Sequence, residues 1–152
     1  MTLYGTLARS DQQTLRLAPL WVFSALVGRT RLETWELEAI WDAVRAALPT
    51  TTSLGSEALQ ATLDDPDVVV AHERDGRPVT TGLLAVATVS ARLGAGAASS
   101  MRSALLAVGE GVARARGPFG RSISQQDADT LELLAEVMDL NDADPRRLFA
   151  SI

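Results

Sequence analysis

Hydrophobic positions recur along this chain at the spacing of amphipathic helices, and two stretches carry the same order of elements. In the first, the apolar run Leu20 to Gly28 leads through a polar link to Leu32, to Glu33 at a capping position and to Glu36 at the third helical position. A second helix follows, with Leu37, Ile40, Trp41, Val44 and Leu48 on one stripe. In the second stretch, Leu105 to Arg114 leads through Gly117–Gly120 to Ile123, Ser124 and Asp127, and then to Leu131, Leu134 and Met138. Ser124 with Asp127 is the Ser-x-x-Asp variant of a capping box. The repetition predicts a duplicated helical hairpin, over about residues 15–48 and 101–140. It places the chain in the all-α class, as a single helical domain over residues 1–152 with about six or seven helices.

The remaining segments fill in that bundle. Ser10 or Asp11 would cap a first helix with Leu15, Ala18, Val22, Ala25 and Leu26 on one face, and Pro19 would either start that helix or kink it. A short helix over about residues 56–63 would be capped by Ser53 or Ser56. Val68-Val69-Val70-Ala71 ahead of Asp75-Gly76 reads equally as a β-hairpin or as a short helix and a turn. Val79 to Arg92 is apolar or small nearly all round, as a helix buried on several sides would be. Gly109 and Gly111 each cost about 1 kcal/mol in a helix relative to alanine, which close helix–helix approach would offset. Asn141 to Asp144 should stop the last long helix, and Leu148, Phe149 and Ile152 should dock a terminal turn that begins at Asp144-Pro145.

Composition narrows the chemistry. With 152 residues the chain can bury a substantial core without staples. It has no cysteine, which removes disulfides, thiol nucleophiles and cysteinyl metal sites. His72 is the only histidine, so a multi-histidine metal centre within one chain is excluded, and a surface or turn position is expected for it. All 14 basic residues are arginine, which rules out Schiff-base lysine chemistry. A net charge of −5 disfavours nucleic acid as a partner. Met1 to Gly5 lacks the basic start and apolar run of a signal peptide, and the longest apolar stretches are too short to span a bilayer; a soluble cytoplasmic protein is the expectation.

The second hairpin, Leu106 to Leu140, resembles the TerB-like family of tellurite-resistance-associated helical proteins. The resemblance rests on Val112 to Gly117, Ile123-Ser124, Asp127 and the helix from Leu131 to Leu140; the first hairpin matches more weakly, through Val27-Gly28, Leu32, Glu33 and Glu36. About half the chain is covered. The family's link typically carries Ala-Asp-Gly, whereas this chain has Val27-Gly28-Arg29 in one copy and Arg116-Gly117-Pro118 in the other. If that aspartate helps the family bind a divalent cation, its loss here removes the site. A competing local resemblance links Arg92 to Ala97 to the pyrophosphate loop of the GNAT acetyltransferases. There Gly82–Val89 would be a strand and the loop amides would hold coenzyme A.

The TerB-like resemblance implies a non-enzymatic interaction module in a tellurite or envelope stress response, without cofactor, metal or catalytic residues. Its partner would be another protein, with peripheral association with a membrane protein complex or homo-oligomerisation compatible with it. Glu36, Arg116, Arg121 and Asp127, around the two links, are the expected partner-binding residues. As first-turn acids, Glu36 and Asp127 also have a purely structural use at the helix N-termini. Trp21 and Trp41 fall on core stripes, while Trp35 falls off its stripe and is the better aromatic for a partner. The alternatives are a GNAT-like acyltransferase using Arg92 to Ala97 and a structural or phage-type accessory subunit.

Overall fold

The computed structural model describes residues 2–29, 31–116 and 122–139. The described residues form an all-α bundle of seven α-helices: α1 (Arg9–Val27), α2 (Thr34–Ala47), α3 (Ser53–Asp64), α4 (Val68–Asp75), α5 (Val79–Arg92), α6 (Ala95–Arg116) and α7 (Gln125–Asp139). Short 3₁₀ turns at Tyr4–Thr6 and Leu48–Thr50 complete it, and no strand occurs among the described residues. The expected stop at residues 141–144, the terminal docking of Leu148, Phe149 and Ile152, and the Gly117–Gly120 link lie outside the described residues.

The two hairpins correspond to α1–α2 and α6–α7, with α1 and α6 starting earlier than the periodicity indicated. Ser10 and Asp11 both lie inside α1, whose N-cap is Ala8. Pro19 sits within an unbroken helical span, and it is buried. Burial on α1 is not confined to the expected stripe: Leu17, Leu20, Trp21 and Phe23 are as deeply buried as Leu15, Ala18 and Val22. The reason is packing on several sides, against α3, α4, α5, α6 and α7. The second long helix, α6, is the other hub, and α2 packs chiefly against it rather than against its own hairpin partner α1.

Glycines allow those close approaches. A Cβ on Gly111 would lie 3.1 Å from the Cβ of Ala43 on α2, and one on Gly109 would lie 2.6 Å from Leu131 Cδ2 on α7. The offset expected for two helix-breaking residues in α6 is therefore present in the packing. At α3 the capping expectation needs correction, because Ser53 and Ser56 are both within the helix, which follows Thr52. The cap comes from a different helix. Ser100 Oγ on α6 accepts the Gly55 N–H at 2.9 Å and donates to the Thr52 carbonyl at 2.6 Å, which satisfies an orphan amide of the first turn.

The valine run is helical. Asp65 begins the turn into α4 by accepting the Asp67 N–H at 2.9 Å, and Gly76, with φ of 71°, ends the helix in the left-handed conformation that glycine tolerates best. Val68 and His72, four residues apart, form the buried face, so tertiary burial overrides the β-propensity of three valines. His72 is accordingly a buried residue, 5% exposed, and not the surface residue expected from its charged neighbours. Gly82–Val89 lies within α5, and Gly94, with φ of 113°, turns the chain directly into α6. The strand, loop and helix frame on which the acetyltransferase resemblance rests is thus not formed.

Candidate functional site

The two helix–link–helix junctions supply the charged site. At the first, α1 ends at Gly28, whose N–H returns to the Ser24 carbonyl at 2.8 Å, and whose φ of 76° redirects the chain toward Arg29. Helix α2 then opens with a reciprocal capping box of Glu33 and Glu36, in which Glu36 Oε1 accepts the Glu33 N–H at 2.9 Å. Glu36 is only 1% exposed. A carboxylate so deeply buried requires compensation, and Arg29 provides it with a two-point fork. Its two terminal nitrogens each approach one Glu36 carboxylate oxygen at 2.7 Å. Arg29 also donates to the Arg31 carbonyl at 2.6 Å, which ties the link to the same guanidinium.

The second junction repeats this arrangement less tightly. Ser124 Oγ accepts the Asp127 N–H at 3.1 Å, as a capping serine should. Asp127 is buried and faces Arg116, the last residue of α6, at 3.7 Å. Removing the serine hydroxyl is the local test of this cap. Ser124→Ala is expected to lower stability by about 1 kcal/mol, read as a shift in urea midpoint at constant slope.

Arg116 links the junctions. Burial pushes the Glu36 carboxyl up, but the Arg29 fork, the Glu33 amide and the positive charges of Arg29 and Arg116 outweigh it and hold Glu36 below its ordinary value. Three of the four residues expected at the site, Glu36, Arg116 and Asp127, therefore converge at one pole of the bundle. Arg121, the fourth, lies outside the described residues.

The sequence reasoning did not pair Arg29 with Glu36. Its signal was present: an arginine in the link, seven residues before a first-turn acid, where the resembling family carries an aspartate.

These pairings limit the chemistry available. Glu36 is ionised and its oxygens are engaged, so it is poorly suited to donate a proton at neutral pH. Among the described residues, no group of three acidic or histidine side chains converges as a metal-ligand set. Around the closed pairs the surface is open. Trp35 is 58% exposed, with its indole N–H donating to Glu33 Oε2 at 2.7 Å, and Arg31 is exposed in the link that precedes α2. Trp21 is fully buried and Trp41 packs at the edge of the core, which leaves Trp35 as the exposed tryptophan.

No protein-family model, curated protein or solved structure gives a significant match to this chain. No helix among the described residues is long and apolar enough to cross a membrane.

Proposed function

We propose that this protein is a non-enzymatic helical interaction module of the TerB-like kind, and that it docks another protein at the pole formed by its two hairpin links. The observation that carries the reading is the division of labour at that pole. The acids are buried and closed by arginines, while Trp35 and the outer faces of Arg29 and Arg31 remain available. A tryptophan among arginines matches the side-chain types that dominate binding energy at protein interfaces. The complementary partner surface is acidic, with an apolar pocket for the indole. A role in a tellurite or envelope stress response is the cellular context that the resemblance adds.

Trp35→Ala tests this reading without disturbing the core, since the side chain is exposed and its indole N–H bonds to Glu33, which is also exposed. Partners captured by the wild-type chain should bind the variant at least about tenfold more weakly by calorimetry, with the thermal midpoint essentially unchanged. An unchanged affinity for every captured partner would eliminate the pole as the docking site.

A further inference from the structure

A second place in the fold combines a cavity, unpaired charges and an orphaned polar atom. A cavity of about 400 Å³ opens between α1, α4 and the α1–α2 link, lined by Trp21, Arg31, His72, Glu73, Gly76 and Arg77. Its floor is aromatic and rigid. Trp21 is held edge-on to His72, with ring centroids 6.4 Å apart, and the Arg77 guanidinium lies 4.9 Å from the indole centroid. Arg77 is neutralised in place, because its Nε meets Asp75 Oδ1 at 2.7 Å and its Nη2 meets Asp75 Oδ2 at 2.9 Å.

The remaining charges at the cavity are Arg31 and Glu73. Both are exposed and neither forms a salt bridge, with each other or with any other described residue. Arg29, Arg77 and Arg116, in the same part of the fold, are all paired. One positive and one negative charge thus stand unpaired at a single cavity. An anion there would face Glu73, and a cation would face Arg31. A net-neutral molecule with separated charges meets both favourably.

His72 adds the independent observation. It is 95% buried and lines the cavity, and its Nδ1 has no hydrogen-bond partner among the described residues. A buried polar atom left without a partner is costly and calls for one. Burial pushes the imidazole pKa down, against the opposing fields of Asp75 and Glu73, so the ring is neutral at pH 7 and one of its nitrogens can accept.

We propose that this cavity binds a free α-amino acid, its carboxylate at Arg31, its ammonium at Glu73 and His72 Nδ1, and its side chain against the Trp21–Arg77 floor. The volume suits a small ligand, and the floor favours apolar or aromatic side chains. The site shares Arg31 with the partner-docking reading but not that reading's test residue Trp35, which does not line the cavity, so Trp35→Ala and Glu73→Gln distinguish the failure of one from the failure of the other.

The test is titration of the full chain with individual amino acids by calorimetry, up to about 10 mM, alongside their amides and N-acetyl derivatives. At least one free amino acid should bind saturably. Amidation of the ligand or Arg31→Gln should each weaken binding about tenfold or more, and N-acetylation or Glu73→Gln should do the same at the other end. Because His72 is the only histidine, its ring nitrogen resonances are unambiguous, and Nδ1 should shift on ligand addition as it gains a hydrogen bond. Both substitutions are at exposed positions, so an unchanged melting temperature will establish that the fold is intact. The proposal is overturned if no amino acid binds in that range, or if binding survives both substitutions undiminished with the His72 signals unmoved.

Discussion

Gly82→Ala is expected to destabilise this protein by about 2–3 kcal/mol, although the same change in an exposed helix would stabilise it by about 1 kcal/mol. Gly82 is buried on α5, directly against the indole of Trp21 on α1. A Cβ there would lie 2.5 Å from Trp21 Cδ2 and 2.8 Å from Cζ2, closer than carbon atoms can pack. The ring has no free direction in which to yield. It is 1% exposed, with Arg77 over its face and His72 at its edge. Relief therefore requires α1 and α5 to separate or the indole to leave its rotamer, and either costs more than the gain in helix propensity. Gly109→Ala is the internal control. Its Cβ would meet the tip of Leu131, a flexible and only partly buried side chain, and lie 3.3 Å from the buried Val22 Cγ1, a contact that needs a shift of only a few tenths of an ångström, so the loss should stay below that of Gly82→Ala, at about 1 kcal/mol. Urea unfolding of both variants measures the difference, and a Gly82→Ala protein as stable as wild type would contradict this account of the α1–α5 contact.

What was legible in the sequence and what was not divides by distance along the chain. The caps at Glu33–Glu36 and Ser124–Asp127 are interactions across three residues, so spacing alone specifies them. The helical periods of α2, α6 and α7 are equally local. Since the hairpins repeat one pattern, Glu36 and Asp127 could be placed at equivalent positions, but the approach of Arg116 to both could not be read from spacing. The Trp21 environment was not legible. Its neighbours Arg77, His72 and Gly82 lie 50 or more positions away, and nothing in their local sequence marks them as partners.

The same limit explains the segments that local sequence left open or misplaced. The Val68–Ala71 run has strand propensity, but its helical form puts Val68 and His72 on one buried face, a preference set by α1. The α3 cap could not be read locally either, because the hydroxyl that supplies it is on Ser100, 45 residues from the amide it accepts. Pro19 suggested a helix start or a kink; α1 begins ten residues earlier, at Arg9, and runs through it, packed on several sides.

Loss of the Glu36 carboxylate should be the most damaging single change at the charged pole, with Glu36→Ala costing about 2–3 kcal/mol at pH 7. Breaking a fully buried pair costs about 3–5 kcal/mol, but Arg29 keeps nearly half of its side-chain surface in water and can be resolvated, so the lower range applies. Part of the loss is the Glu33 amide, which would forfeit its acceptor. Glu36→Gln separates shape from charge, since it retains an acceptor for that amide while removing the attraction of Arg29 and Arg116. The sign of the pH dependence follows from the folded carboxyl lying below its ordinary value of 4.5. Its ionised form stabilises the fold fully above that value. As pH falls through the unfolded and then the folded titration, the folded state must take up a proton that it resists, and the contribution disappears. The stability difference between wild type and Glu36→Gln should therefore be constant above about pH 6 and shrink steadily below about pH 4.5. Denaturant titrations across that range measure it; a gap that stayed constant down to about pH 3 would mean that the charge of Glu36 contributes nothing and that its side chain serves only as a cap.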